Sequence, residues 1–255
     1  MKIKKILLFV GIAFGIFIAG GFSVKTCQNN QKKEAILNKT LASVHFKDAF
    51  VRDNRISQNQ KSIIELREEA EKGDVNAQYV LANLYRIESS NNRTLGKKSD
   101  KNYKEAIKWL LKAANQGDVK AQCDMGYIYA YGDGVPRNLE EAEKWFHKST
   151  EGGDPEAQCL LGCLYAIGHG VLEDPKEAAK WFKKASEQGN DLAQYNLGIL
   201  YARGDGVSKD LVESYAYILL STRKRHDDIL KAALKKILSP SQREAGLKRA
   251  KEIQK

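Results

Sequence analysis

The 255-residue sequence has few of the residues on which covalent and metal-centred chemistry depends. It contains four cysteines and four histidines. No two cysteines stand in the C-x-x-C spacing of zinc or thioredoxin-type sites. The histidines, His45, His147, His169 and His226, are scattered without a ligand spacing. We therefore expect no metal site and no cofactor.

The motifs of the common enzyme classes are also missing. There is no His-Glu-x-x-His, no phosphate-binding loop and no Gly-x-Ser-x-Gly. The Gly-x-Gly segments that do occur lack the preceding strand of a dinucleotide-binding fold. The sequence therefore predicts a protein that is not an enzyme, with no catalytic residues.

Positive charge is scarce in the middle of the chain. Residues 1–61 hold 11 Lys and Arg against 3 Asp and Glu, and residues 220–255 hold 11 against 4. Residues 62–219 hold 20 against 25, a net charge of −5 within a chain of +10. A nucleic-acid cleft needs clustered positive charge, so we do not expect this central region to bind nucleic acid.

What the chain does contain is a repeat with a period of 36 residues. The pattern Ala-Gln-x-x-Leu-Gly-x-x-Tyr-x-x-Gly-x-Gly-Val, followed by an alanine and a tryptophan, begins at Ala157. It recurs with few changes from Ala121 and from Ala193, and an earlier copy begins at Ala77. We call these four residues the frame alanines. A fixed period of this size indicates a stack of small supersecondary units.

Each repeat is predicted to be helix–turn–helix. Helical spacing precedes and follows a Gly-x-Gly-Val segment, in which two residues are able to take positive φ. Gly126, Gly162 and Gly198 fall inside the first helix, where glycine costs about 1 kcal/mol relative to alanine. We expect a neighbouring helix to approach closely at these three positions.

Helix ends are marked by proline, glycine and short polar residues. Pro136 and Pro175 stand where a second helix is expected to begin. The pairs Gly117-Asp118, Gly153-Asp154 and Gly189-Asn190 are predicted to end one repeat and cap the next. The first repeat carries eight extra residues near 88–98, which predict a polar surface loop in place of the Gly-x-Gly turn.

This pattern resembles the Sel1-like repeat, a relative of the tetratricopeptide repeat, over about residues 61–222. The resemblance implies an all-α fold, a right-handed α/α superhelical solenoid of helix–turn–helix repeats. It also implies a non-enzymatic adaptor that binds a partner protein or peptide on its concave face. Many bacterial members of the family are exported and act in host interaction, envelope assembly or secretion.

We divide the chain into four parts. Residues 1–24 are predicted to be a signal peptide or membrane anchor, and residues 25–60 a linker. The array, 61–222, comprises a half-unit (62–72) and four repeats near 74–116, 117–152, 153–188 and 189–222. Residues 223–255 are expected to supply capping helices, at 228–238 and 239–254.

The N-terminus suggests export. Three lysines, Lys2, Lys4 and Lys5, precede a nineteen-residue apolar run at 6–24, which favours a cytoplasmic N-terminus with the remainder outside. The run is either a cleaved signal peptide or an uncleaved single-pass anchor. The expected location is therefore the cell membrane with the repeats outside the cytoplasm, or the periplasm or exterior after cleavage.

The candidate partner-binding residues lie two and six positions after each frame alanine. Four apart, the two positions share one face of the first helix, and unlike the frame they vary from repeat to repeat. We call them the variable stripe: Tyr79, Asn83, Cys123, Tyr127, Cys159, Cys163, Tyr195 and Ile199. One interpretation is a groove for an extended peptide or a helix, flanked by Arg86, Tyr131 and Arg203. The other is packing between adjacent first helices.

Two alternative functions remain open. Cysteine-rich relatives of the repeat family have been linked to β-lactam binding or hydrolysis, although the regular cysteine pairing of that branch is missing here. The second alternative function is that of an envelope-structural protein that contacts the cell wall.

Cys123, Cys159 and Cys163 are interpreted either as small apolar fillers or as members of a disulfide. The frame aromatics Trp109, Trp145, Trp181 and Tyr217 are expected in the core.

Overall fold

The computed structural model describes residues 63–94, 100–168, 170–221 and 224–254. These residues form eleven α-helices and no strand. They belong to two compact units, which divide between Asp154 and Pro155. We refer to them as the 63–154 unit and the 155–254 unit, and describe each by itself.

The 63–154 unit contains five helices. They are α1 (Ile63–Glu71), α2 (Val75–Thr94), α3 (Asp100–Asn115), α4 (Val119–Tyr131) and α5 (Leu139–Glu151). Each packs on the helix before it from α1 to α5. The predicted half-unit is thus a single helix, α1, whose Leu66 and Ala70 are buried against the first repeat.

The 155–254 unit contains six helices. They are α6 (Pro155–Ile167), α7 (Pro175–Glu187), α8 (Asp191–Arg203), α9 (Leu211–Leu220), α10 (Lys224–Ile237) and α11 (Pro240–Ile253). We call α2, α4, α6 and α8 the first helices, and α3, α5, α7 and α9 the second helices. The last two helices, predicted at 228–238 and 239–254, are confirmed; α10 begins four residues earlier than expected.

The glycines inside the first helices do mark close approaches. An ideal Cβ built at Gly126 would lie 2.5 Å from Cε1 of Phe146, on the second helix of the same repeat. At Gly162 the corresponding distance is 2.8 Å to Phe182, and at Gly198 it is 2.8 Å to Ile218. The prediction is confirmed: the residue after each frame aromatic occupies the space that a side chain would need.

The Gly-x-Gly turns take the positive φ that the pattern predicts. Gly132 and Gly134 have φ of 70° and 75°. The turn is closed by a backbone hydrogen bond, in which Asn138 N donates to Tyr129 O at 2.9 Å. The same bond joins Asp174 to Tyr165 and Asp210 to Tyr201. The tyrosine and the residue that caps the second helix are therefore tied together in three successive repeats.

Helix caps follow the predictions in part. Asp118 and Asn190 cap the first helices α4 and α8, each accepting a hydrogen bond from a backbone N–H three residues on. Pro175 is the first residue of α7, as expected. Pro136 is not a helix start, because Asn138 caps α5 and the helix begins at Leu139. The side chain of Asn138 accepts a hydrogen bond from Glu141 N, which fixes the start of α5 two residues after Pro136.

The insertion in the first repeat was predicted to be a loop, but as far as Thr94 it is helical. Helix α2 runs for 20 residues, seven more than α4, because no glycine breaks it where Gly132 ends α4. Ser89, inside the predicted loop, is buried. Residues 95–98 of the insertion lie outside the described residues.

The frame glutamines join successive repeats. Gln122 Nε2 donates to Ala114 O at 3.1 Å, and Gln78 Nε2 donates to Ala70 O at 3.0 Å. In each case the acceptor is a carbonyl near the end of the preceding helix, eight residues earlier. Each carbonyl also accepts from a backbone N–H of the turn, Gly117 N to Ala114 O at 3.1 Å and Gly73 N to Ala70 O at 3.2 Å. The glutamine therefore adds a second hydrogen bond where one repeat ends and the next begins.

The chain's last helix closes the hydrophobic core of the 155–254 unit. A Cβ added at Gly246 of α11 would lie 2.8 Å from Cδ1 of Tyr215 on α9. Arg249 Nε and Glu213 Oε1 form a 2.7 Å ion pair between the same two helices. Ser239 and Gln242 form a reciprocal capping box at the start of α11, with Pro240 as its first residue. The predicted cap at Ser239 is confirmed.

The N-terminal predictions fall outside the described part of the chain. The signal peptide or anchor at 1–24 and the linker at 25–60 both precede Ile63. Within the described residues, no helix is both long enough and apolar enough to cross a membrane.

Candidate functional site

The variable stripe is buried. Its eight residues are between 0% and 5% exposed: Tyr79, Asn83, Cys123, Tyr127, Cys159, Cys163, Tyr195 and Ile199. This burial agrees with the packing interpretation, since side chains this enclosed reach a partner only if helices move. Their role in binding a partner stays a prediction.

Contacts within each unit show what covers the stripe. The ring of Tyr127 meets Phe146 edge-on at 5.9 Å and stacks on Tyr131 at 6.3 Å. Tyr195 and Ile199 belong to one hydrophobic cluster with Leu230 and Leu234 of α10. At the last repeat, therefore, the face predicted to bind a partner is covered by the chain's own helix α10.

The cysteines of the stripe are small buried groups. Cys123, Cys159 and Cys163 are present as thiols and are at most 5% exposed. The sulfur of Cys163 lies 3.7 Å from Nδ2 of Asn196, a buried side chain on the next first helix. This arrangement agrees with the filler interpretation and shows no disulfide among the three. Cys27 lies outside the described residues.

Two apolar residues remain accessible beside the stripe in the 63–154 unit. Ile87 and Tyr131 are 36% and 38% exposed. Each stands ten residues after its frame alanine, so the two occupy the same position on α2 and α4. Burial raises the pKa of the Tyr131 hydroxyl to about 12, so the ring carries no charge at physiological pH. Both accessible side chains are therefore uncharged.

A buried ion pair ties these two helices together. Arg86 Nη1 lies 3.1 Å from Asp124 Oδ2 and 3.3 Å from Asn83 Oδ1. Arg86 replaces the alanine that the other three repeats have at this position. Burial raises the pKa of Asp124, while the Arg86 guanidinium opposes that rise. The pair holds α2 and α4 in register next to Ile87 and Tyr131.

Acidic groups surround this pair. The carboxylates of Asp118 and Asp154 each raise the pKa of Asp124 further, because they repel its negative form. Both residues stand at the start of a first helix and are partly exposed. Asp118 caps the start of α4 and Tyr131 is the last residue of that helix, so this negative charge lies at the opposite end of α4 from the accessible tyrosine.

The third predicted flanking residue, Arg203, lies in the 155–254 unit at the end of α8. Burial lowers its pKa, and Asp205 opposes that shift. Burial has the opposite effect on the carboxyl group of Asp205 and raises its pKa. Arg203 is partly exposed, at the position that Tyr131 holds in its own repeat. The position thus varies in chemistry between repeats while its place on the first helix stays constant.

The frame tryptophans are not all core. Trp109 and Trp145 are buried, as is Tyr217, but Trp181 is partly exposed, so the prediction is wrong for this residue. A lysine three residues later lies over each indole: Lys112, Lys148 and Lys184, at 4.0, 4.1 and 4.2 Å from the ring centroid. Sequence reasoning missed this repeated cation–π contact, although the Trp-x-x-Lys spacing is visible.

The surface beside the stripe offers contacts to another molecule. Among the residues described, no group of three His, Cys, Asp or Glu side chains is placed to hold a metal ion. The accessible features are two apolar side chains on helices α2 and α4, which the Arg86–Asp124 ion pair connects. Such features suit recognition of another macromolecule.

Comparison with known proteins agrees with this architecture. The Sel1 repeat family description matches residues 75–118, 119–154, 155–190 and 191–226. Among solved structures, a protective antigen present in uropathogenic Escherichia coli strains, displaying an SLR fold, is 28% identical with a TM-score of 0.66. The match covers 87% of this chain and 48% of that one, so this chain spans about half the length of that relative.

A Sel1 repeat protein from Oxalobacter formigenes is 36% identical, over 50% of this chain and 95% of that chain, with a TM-score of 0.45. No curated protein matches the chain. The family match covers more than half of the sequence, and together with the protective antigen it confirms the predicted all-α repeat fold. This chain belongs to the Sel1 repeat family.

Proposed function

We propose that the protein is a non-enzymatic scaffold that binds a partner protein through the first-helix face of its repeats. Sel1 repeats generally mediate protein–protein interactions. The observation that carries the proposal for this chain is the pair Ile87 and Tyr131, exposed at one frame position on two helices that the Arg86–Asp124 ion pair connects.

The chemistry of the surface restricts the partner. An apolar side chain of the partner would bury part of Ile87 and Tyr131, at about 25 cal/mol for each Å² removed from water. The partner expected is therefore a peptide or helix that presents an apolar side chain to these two residues.

The first test compares capture by matched variants. The tagged full-length chain, an Ile87→Ser/Tyr131→Ser variant and a Leu172→Ser control are used for cross-linking pull-down from membranes of the native cell. Leu172 is 90% exposed and lies on a turn of the 155–254 unit. A protein that the parent and the control capture, and the double variant does not, supports the proposal.

The captured protein is then purified and its affinity measured for the same three chains at low and high salt. Circular dichroism checks that the double variant keeps its helices. Equal affinity for all three chains, at either salt concentration, contradicts the proposed surface.

We also propose that the repeats lie outside the cytoplasm, exported or anchored through residues 6–24. The support is the lysine-flanked apolar run at the N-terminus and the similarity to a protective antigen. A C-terminal tag that protease digests in intact spheroplasts supports export. A tag digested only after lysis contradicts it, and the size of the mature chain separates a cleaved from an uncleaved segment.

A further inference from the structure

We propose that copies of this chain associate head to tail, with the outer face of α10 in one copy docking on α1 of a second copy. The inference concerns the two ends of the repeat array and is independent of the partner proposed above. It starts from two exposed apolar surfaces whose charges are opposite.

Helix α10 has more apolar surface than its own unit covers. Leu230, Leu234 and Leu238 are buried in the cluster that contains Tyr195 and Ile199. Ile229 and Ile237 stand one residue before two of these leucines and are 53% and 37% exposed. Ala233 lies between them at helical spacing. The apolar side of α10 thus extends beyond the part that is packed.

This exposed part of α10 is flanked by positive charge. Lys236 follows Ile229 by seven residues, which places it on the same side of the helix. Lys235 and Lys236 are both exposed, and residues 229–237 contain three lysines and no acidic residue. Helices that end a repeat array ordinarily present a polar outer face to solvent. This one presents two isoleucines beside lysines.

Helix α1 carries the complementary surface. Ile64 is 72% exposed. Glu68 and Glu71 follow it by four and seven residues, so they flank it on the same side, and both are exposed. The whole helix Ile63–Glu71 contains four glutamates and one arginine. An exposed isoleucine with a glutamate seven residues later is the charge-reversed counterpart of Ile229 with Lys236.

A second copy of this chain is the occupant that fits both surfaces at once. Each copy supplies one acidic and one basic end, so a single contact of α1 with α10 buries isoleucines and pairs opposite charges. The two surfaces differ, so the contact is heterologous, and successive copies add in one direction to give a ring or a filament. The contact is small, which predicts weak association that grows with concentration and falls with salt.

The first experiment maps the contact directly. A photo-crosslinking phenylalanine analogue replaces Ile64 in the full-length chain, which is mixed in mild detergent with an equal amount of ¹⁵N-labelled chain. Mass spectrometry then locates the cross-linked peptide. Cross-links from position 64 to residues 229–237 that join labelled to unlabelled chains are the expected result. Cross-links confined to one isotope, or none to α10, overturn the proposal.

The second experiment exchanges the charges. Glu68→Lys/Glu71→Lys and Lys235→Glu/Lys236→Glu should each lower the yield of this cross-link several-fold, and the two variants mixed together should restore it. Lys176→Glu/Lys209→Glu, a double reversal at exposed lysines elsewhere in the 155–254 unit, should leave it unchanged. The N-terminal apolar run is identical in every variant, so any association it causes is constant.

Failure of the mixture to restore the cross-link overturns charge pairing between the two ends. The exposed isoleucines and lysines of α10 are also suited to binding anionic lipid. If Lys235→Glu/Lys236→Glu reduces sedimentation with vesicles containing phosphatidylglycerol while the cross-link is absent at every concentration, α10 faces a membrane and the proposal is overturned.

Discussion

Gly162 on α6 and Phe182 on α7 are packed so closely that an added Cβ at Gly162 would lie 2.8 Å from the phenyl ring. The contact recurs as Gly126 with Phe146, and as Gly198 with Ile218. A glycine in the middle of each first helix is therefore matched to a bulky residue on the second helix of its own repeat.

We predict that Gly162→Ala destabilises the 155–254 unit. The substitution gains about 1 kcal/mol of helix propensity but overpacks the contact, which typically costs about 1–3 kcal/mol. The expected result is a lower urea midpoint for unfolding. Adding Phe182→Leu to Gly162→Ala should recover part of the loss, and a midpoint at or above that of the parent for Gly162→Ala alone would contradict the packing account.

We predict that Gln122→Ala weakens the junction between the first two repeats. It removes the side-chain donor of the Ala114 carbonyl, which still accepts from Gly117 N, so the expected loss is that of one hydrogen bond, about 0.5–1.5 kcal/mol. Glu140→Ala, on the exposed surface of α5, serves as the control and should change stability by less than about 0.5 kcal/mol. Equal unfolding free energies for the two variants would show that the glutamine is dispensable.

We predict a pH dependence that originates at Asp124. Its pKa is raised above 3.8, mainly by burial, so the folded chain takes up this proton at a higher pH than the unfolded chain does. This contribution to stability is complete below pH 3.8 and is lost as the pH rises through the folded pKa. The parent should therefore gain stability relative to Asp124→Asn as the pH falls. Urea unfolding of both across the acid range tests this, and parallel curves refute it.

We predict that Gly246→Val releases α11. The valine would overlap the ring of Tyr215, against which Gly246 is packed. Amide hydrogens of 240–253 should then exchange faster, while those of α2 to α5 keep their rates. Leu247→Ala, at the neighbouring exposed position, is the control. Unchanged exchange in α11 for Gly246→Val would mean that other contacts, such as Arg249 with Glu213, suffice to dock the helix.

Features that depend on neighbours within one repeat were predictable from the sequence. Gly126 predicted a close helix contact, and Gly132 and Gly134 predicted a turn with positive φ. Both features have a local cause, steric for the contact and conformational for the turn. The prediction of a surface loop near 88–98 is wrong through Thr94, because polar residues are compatible with an exposed helix as well as with a loop. The absence of any glycine before Gly96 was the stronger local signal, and α2 continues through Thr94.

The candidate surface was harder to predict. The variable stripe was correctly placed on one face of the first helices, yet periodicity identifies a face without identifying what covers it. Tyr127 is covered by Phe146, and Tyr195 shares a cluster with Leu230. The accessible residues Ile87 and Tyr131 stand one helical turn further along, and only their exposure, which depends on all their neighbours, separates them from the stripe.

The sequence by itself determined the period, the helix pairs, most of the caps and the family, because these depend on residues close together in the chain and repeat in register. Only the tertiary structure decided which side chains remain accessible, that Arg86 meets Asp124 from another repeat, and that α10 covers the stripe at Tyr195 while exposing Ile229. Those outcomes depend on contacts between residues tens of positions apart, and burial is a property of the packed whole.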